Sequence, residues 1–397
     1  MISFIYTAKN NDGEFVKGQI EAQNESAAAK VLTSKSLFPI DITMKQESGL
    51  AVFNRVSLKD KVLFTRQLSA TLAAGLPITQ ALETISEQTS TKALKDIIAK
   101  IVGDVEGGMQ LSASFSRFPQ VFTRIDIALV ESGEASGTLD KVLIRLADSI
   151  EKDYKMIKKV RSALMYPLFI LGVVALVVVL MTVYVMPQME NLYKDFDSKL
   201  PAITLMLLGI SHFLASYGIF VIFVIVAIGA GLRYYVTTRS GRYLWDSMRL
   251  KTPILAPFLR SLYAARFSRT MAGLVGSGVS LLDSLSITAS AVGNRVIADV
   301  IYEAAQDVKG GKPLSKPLRE SEVFSPIVPQ MISVGEQTGE MDAMFSNLAD
   351  YFDDEVDNFV RSITSVLEPF IIVVMGGIVA VILVAVMMPI YNIGKIF

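Results

Sequence analysis

The sequence predicts a mostly α-helical membrane protein: two duplicated helical bundles, three transmembrane helices and a small N-terminal ββαβ module. The first observation behind this is an internal repeat. Phe64, Arg66, Gly75, Leu82, Gly107, Gly108 and Leu111 recur at a constant offset as Phe267, Arg269, Gly278, Leu285, Gly310, Gly311 and Leu314. After a one-residue slip the match resumes, carrying Phe122, Gly133, Glu134, Gly137, Asp140, Pro167, Met186 and Pro187 onto Phe324, Gly335, Glu336, Gly339, Asp342, Pro369, Met388 and Pro389. The second observation is a set of three uncharged stretches, 162–189, 200–232 and 369–394, each longer than the roughly 20 residues a helix needs to cross a bilayer. The third is that residues 1–45 read as strands and turns, unlike the helical remainder.

Composition agrees, because 51% apolar residues coexist with 38 basic and 38 acidic side chains. The formal net charge is zero, so no global basic excess points to nucleic acid. The absence of cysteine excludes disulfides, thiolate catalysis and cysteine-based metal sites.

In chain order, FIYTA, NNDG and EFVKGQIEA read as a hairpin, NESAAAKVLTSK as a short helix with Asn24 as its cap, and FPIDITMK as a strand. This start has no basic region followed by an apolar one, so it reads as a cytosolic module rather than a signal peptide. Residues 46–57 read as a linker. Ser57-Leu-Lys-Asp60 resembles a capping box and opens the first bundle, expected over 58–165 with about six helices. Glycines at Gly75, Gly107 and Gly108, and their counterparts Gly278, Gly310 and Gly311, break one helix from the next.

The first span is expected over 166–187, a periplasmic loop and interfacial helix over 188–217, and the second span over 218–236. The second bundle follows over 237–367, the third span over 368–390 and a periplasmic tail over 391–397. Orientation follows from basic flanks. Lys152, Lys155, Lys158, Lys159 and Arg161 precede the first span, and Arg233, Arg239, Arg242, Arg249 and Lys251 follow the second. Both bundles are therefore expected in the cytosol, and the unrepeated second span returns the chain between them.

Most chemical readings fail on inspection. Gly310-Gly311-Lys312 lacks the glycine and the Ser or Thr of a phosphate loop, with Gln306 in one place and Pro313 removing an amide donor. His212, the single histidine, stands in an apolar stretch with no triad or zinc partners. The acids from Asp350 to Asp357 describe the wet face of an amphipathic helix. No catalytic, cofactor or metal site is expected. The most specific pattern is Gly-Glu-x-x-Gly-x-x-Asp, present as Gly133, Glu134, Gly137 and Asp140 and again as Gly335, Glu336, Gly339 and Asp342. Glycines there allow a close helix approach and a tight turn, and the acids suit a helix N-terminus. These residues are the candidate coupling turns. Gly376 and Ala380 form a small-xxx-small pair in the third span and are the candidate oligomer contact.

The doubled turn, Tyr166-Pro167 and Glu368-Pro369 before the spans, Met186-Pro187 and Met388-Pro389 after them, and the opening FIYTAKNNDGEFVKGQIEA together resemble the inner-membrane platform proteins of type IV pilus and type II secretion systems, the GspF/PilC family. Glu368 departs from the first copy, which has Tyr166. The resemblance implies a non-enzymatic, multi-pass protein of the bacterial inner membrane, with a cytosolic N-terminus and a periplasmic C-terminus. Its implied task is to couple a cytosolic motor ATPase to pilin or pseudopilin subunits. Other inner-membrane assembly proteins and further copies of the chain are the remaining implied partners. A small membrane transporter with internal repeats is the competing reading. It would place ionisable groups at mid-membrane, where the first and third stretches have none beyond Tyr184 near an end.

Overall fold

The computed structural model of the chain describes residues 2–9, 15–22, 33, 38–44, 56–185, 188, 202–253 and 255–393. Two units are distinguished, Met1–Arg55 and Val56–Phe397.

The first unit holds an antiparallel sheet of three strands, β1 (Ile2–Lys9), β2 (Phe15–Ala22) and β3 (Phe38–Met44), in the order β2-β1-β3. The expected hairpin registers from Ile2 opposite Ala22 to Lys9 opposite Phe15. β3 pairs with β1 across a register shift at Thr7 and Ala8, where Pro39 faces Ala8. An edge strand accommodates a proline because its missing amide leaves no ladder bond broken on the open side. The helix expected between β2 and β3 lies outside the described residues except for Thr33, which is helical. Most of the expected linker, 46–57, lies outside them as well.

The second unit begins with six helices, α1 (Leu58–Ala73), α2 (Ile78–Gln88), α3 (Lys92–Glu106), α4 (Leu111–Ser116), α5 (Arg124–Ser136) and α6 (Leu139–Leu180). The capping box at the start of α1 forms: the Asp60 amide donates to Ser57 Oγ at 3.2 Å, and the Ser57 amide donates back to Asp60 Oδ2 at 3.0 Å. Gly75, at φ 84°, closes α1 in a conformation that side chains with a Cβ avoid. The core centres on Phe64, Phe115 and Phe122, with the last two stacked at a centroid distance of 3.8 Å.

After α7 (Ala202–Thr237) and α8 (Arg239–Lys251), six more helices repeat the plan: α9 (Leu255–Gly276), α10 (Leu281–Ala291), α11 (Arg295–Lys309), α12 (Ser315–Glu320), α13 (Ile327–Thr338) and α14 (Met341–Ile393). The second core centres on Phe267, Phe324 and Phe345. Phe115 of the first copy corresponds to Leu318, and Leu143 to Phe345; all four are fully buried. One ring has moved across the core, so each bundle keeps its total volume.

α6 and α14 are long enough and apolar enough to cross a membrane, and only 6% and 11% of their most apolar windows are buried. Such exposure separates them from the core helices of a soluble protein. At 42 and 53 residues they extend roughly 63 and 80 Å, more than twice the roughly 30 Å hydrocarbon thickness, so their charged lower halves belong to the bundles. The divisions expected at residues 165/166 and 367/368 fall inside unbroken helices. Pro167 and Pro369 each remove one amide donor without ending the helix, since the apolar run beyond them continues at helical phi and psi. Likewise, 202–237 is a single helix of 36 residues, so the boundary expected at 217/218 falls inside it. Ser216, Tyr217 and Gly218 supply no proline or cap strong enough to divide it. Met186, Pro187 and residues 189–201 lie outside the described residues.

The bundles interlock. Leu274 of α9 is fully buried within the first core, with Val279 and Ile287 packed against it. Met156 of α6 in turn packs against the second core.

Candidate functional site

Each coupling turn joins the last short helix of its bundle to the long helix that follows. Gly137 ends α5 at φ 67°, ψ 21°, and Gly339 ends α13 at φ 79°, ψ 2°, both left-handed. The Thr138 amide donates to the Gly133 carbonyl at 2.9 Å, and the Gly339 amide to the Gly335 carbonyl at 2.9 Å. These bonds satisfy carbonyls that the helix ends leave free. Gly133 and Gly335 serve the other purpose expected of the pattern. A Cβ on Gly133 would stand 3.1 Å from Leu139 Cα and Val142 Cβ, and one on Gly335 would stand 3.0 Å from Met341 Sδ. Bare backbone is what lets α5 and α13 lie against α6 and α14.

The two glutamates act at a distance in sequence. Glu134 accepts from the Leu111 amide at 2.5 Å, the Ser112 amide at 3.2 Å and Ser112 Oγ at 2.5 Å. Glu336 repeats this with the Leu314 amide, the Ser315 amide at 3.4 Å and Ser315 Oγ at 2.6 Å. Each carboxylate thus caps α4 or α12, not the helix that follows its own turn. Asp140 and Asp342 stand in the first turns of α6 and α14, where the helix dipole favours an acid. Each pattern therefore fastens three helices at one point: the short helix, the turn helix and the long helix.

Below the turns runs an ion-pair seam between the bundles that the sequence reading did not identify. Arg269 of α9, only 8% exposed, pairs with Asp153 of α6 and Asp353 of α14. Lys152 and Lys159 of α6 reach Asp350 and Asp357 of α14, the former at 2.7 Å. Burial pushes the Asp353 carboxyl above its ordinary value, against the pull of the Arg269 charge and hydrogen bond. The available signal was the repeat itself, because Arg269 is the counterpart of Arg66 and Asp353 of Glu151. What the repeat could not show is that α6 of the first copy lies over the second. Between the bundles this seam borders a cavity of about 560 Å³, with Arg66, Arg145, Lys152 and Arg269 among its lining.

Gly376 and Ala380 are both exposed, and a Cβ on Gly376 would meet nothing within 4 Å. Their small surface is not used for packing within the described chain. Among the described residues no group of three His, Cys, Asp or Glu could hold a metal ion.

Each bundle, stapled at its turn, runs without a break into an apolar helix. Comparisons with known proteins cover the same ground. The family described as "Type II secretion system (T2SS), protein F" matches residues 64–187 and again 267–389, and its N-terminal domain matches residues 1–43. The chain is 36% identical over 393 residues to the type IV pilus assembly protein PilC of Myxococcus xanthus, covering 98% of this chain and 94% of that protein. It is 34% identical over 396 residues to the protein of the same name from Thermus thermophilus, covering 98% and 97%. With the type II secretion system protein F of Pseudomonas aeruginosa it shares 31% over 405 residues, covering 100% of both.

Proposed function

The chain belongs to the family of type II secretion system protein F and PilC, inner-membrane platform proteins of type II secretion and type IV pilus systems, and from that premise we propose that it couples a cytosolic motor ATPase to the assembly of pilin or pseudopilin subunits. The carrying observation is that each bundle ends in one unbroken helix, α6 or α14, which continues into an apolar segment. A motor that displaces a bundle then displaces the membrane segment with it, because the helix continues through Pro167 or Pro369 without a loop between them. The coupling turns Gly133, Glu134, Gly137, Asp140 and Gly335, Glu336, Gly339, Asp342 hold those helices to their bundles. The names of the matched relatives describe assembly and secretion proteins rather than enzymes. The transporter reading has no such support.

In this reading α7 contains the second of three spans, the sheet of the first unit is part of a cytosolic ββαβ module, and the C-terminus is periplasmic. Basic flanks support that orientation. Alkaline phosphatase fused after Lys194 should be active and fused after Lys309 inactive; the reverse would overturn it. Further copies of the chain meet through Gly376 and Ala380, whose exposed small surface permits close helix approach. Replacing Gly376→Leu should weaken cross-linked oligomers, and unchanged cross-linking removes that contact.

The coupling itself is tested by Gly137→Val together with Gly339→Val. Both sites have open space for a side chain but the wrong backbone, so each substitution costs about 1–2 kcal/mol through φ alone. Fibre assembly or secretion should be lost while the protein still inserts and the motor still hydrolyses ATP. Normal assembly by the double variant would remove the turns from the mechanism.

A further inference from the structure

Where α6 and α14 change from charged to apolar, their facing surfaces enclose a cavity of about 770 Å³, within the roughly 300–1,000 Å³ of small-molecule sites. Just beyond it the exposed surface becomes apolar, with Leu164, Met165 and Tyr166 on one helix and Val366 and Phe370 on the other. Just before it lie Lys152 and Asp350. The cavity therefore occupies the level at which headgroups meet acyl chains.

Its charge is specific. Lys155 and Lys159 line it but are paired with Glu151 and Asp357. Lys158 and Arg361 also line it, and neither has an ion-pair partner among the described residues. Glu368 stands at the apolar end and offsets one of those two charges. Ser162 adds a hydroxyl that can donate to an oxygen acceptor, while the Thr364 and Ser365 hydroxyls donate to the Val360 and Ser362 carbonyls of their own helix. The remaining single positive charge, beside the Ser162 hydroxyl and open toward an apolar surface, is complementary to one phosphodiester carrying acyl chains.

We propose that this cleft binds the headgroup of an anionic phospholipid from the cytosolic leaflet, with Lys158 and Arg361 on the phosphate and the acyl chains along the exposed apolar faces of α6 and α14. Basic pockets between membrane helices on the cytosolic side suit such headgroups. Glu368 gains a role here: the first copy has Tyr166 at that position, and the acid sets the charge of the cleft to match a single phosphodiester. A lipid bridging both helices would tie the two spans together at the level where the bundles' motion enters the membrane.

The proposal rests on reading α6 and α14 as spans. If that reading is wrong, alkaline phosphatase fused after Lys194 will be inactive; the outcomes below concern a chain for which that fusion is active. The full chain, purified in mixed micelles with equal amounts of palmitoyl-oleoyl phosphatidylglycerol and phosphatidylcholine, is examined by native mass spectrometry for retained lipid. Phosphatidylglycerol should be retained in preference. Lys158→Gln with Arg361→Gln should cut that retention by about tenfold or more, Glu368→Lys should raise it, and Lys92→Gln with Lys95→Gln in the first bundle should leave it unchanged. Millimolar inorganic phosphate should not displace the lipid. Equal retention of both lipids, indifference to the paired and the Glu368 substitutions, or displacement by phosphate alone would each overturn the assignment, the last in favour of a free-anion site.

Discussion

The two bundles share a plan and differ in where they place their buried charge. In the first, Lys61 and Asp126 form an ion pair inside the bundle, with side chains 10% and 4% exposed. The second copy has Ala264 and Val328 at those positions, both buried, and Ala264 borders a cavity of about 940 Å³. Conversely, Arg66 of the first copy is 42% exposed and pairs only with Asp148 and Glu151 of its own bundle. Its counterpart Arg269 is buried and reaches across to Asp153. One copy keeps its charge pair internal; the other uses its arginine as the joint between copies. A buried ion pair adds little net stability over a packed apolar pair but is costly to break. The difference therefore reads as specificity: the pairs fix which surfaces meet.

The sharpest way to break this comparison is to remove Lys61. Lys61→Ala leaves Asp126 buried, still accepting only the Thr123 cap bond at 2.6 Å, and should cost about 3–5 kcal/mol in unfolding of the detergent-solubilised chain. Lys61→Ala with Asp126→Val copies the second bundle. It should recover most of that loss, leaving about 1–2 kcal/mol for the lost helix cap. A double variant as unstable as the single would show that the pair, rather than the orphaned acid, carries the stability.

Next comes the arginine. Arg269→Ala should cost about 2–3 kcal/mol, below the full value for a buried pair because Asp153 is 36% exposed. It should also loosen the seam, raising amide exchange in α9 and the lower part of α6. Arg66→Ala, at an exposed pair, should cost less than about 1 kcal/mol. Equal costs would mean that the first bundle's arginine is also covered, by another copy of the chain or by a partner.

The smallest effect is in pH. Glu151 and Asp353 occupy equivalent positions yet shift in opposite directions. Hydrogen bonds from Lys155 and then Arg66 hold Glu151 below its ordinary 4.5, so its contribution to stability is complete above pH 4.5 and lost as pH falls through its folded value. Burial raises Asp353 above 3.8. The folded state binds that proton more tightly than the unfolded one, so the contribution is complete below pH 3.8 and lost as pH rises through the folded value. Carboxyl ¹³C titration of the two residues should show midpoints displaced in those directions. Arg66→Ala should bring Glu151 back toward 4.5, and Arg269→Ala should carry Asp353 further up. An Asp353 midpoint at or below 3.8 would mean that the seam is wet.

Local physics made much of the fold legible in the sequence. The capping box at Ser57, the left-handed glycines and the long apolar runs each depend on a few consecutive residues whose backbone needs or solvent preference allow little choice. The strands of the first unit followed from alternation and a turn cluster, and the repeat offset showed that whatever the first bundle does, the second copies. The left-handed backbone at Gly137 and Gly339 was legible as that of a tight turn. The partner of Glu134 was not, because its acceptor bonds go to Leu111 and Ser112, and nothing in the spacing says that α4 will present its first amides there.

What only the tertiary structure decided is how the copies differ in use. A sequence repeat fixes which residues correspond, and hence that Phe64 and Phe267 are both core, but the two surfaces of one chain are not placed equivalently. α6 lies against α9 and α14, and no counterpart packs in the same way on α1. Arg66 and Arg269 therefore hold equivalent places in the repeat and have different neighbours in space. Likewise, the long helices run through Pro167 and Pro369 because the apolar side chains beyond them sustain the helix after one lost hydrogen bond, a balance of many small terms that no local signal reports. The composition dictated helices, turns and membrane segments; burial of one copy's arginine under the other copy's helix came from the packing of surfaces far apart in the chain.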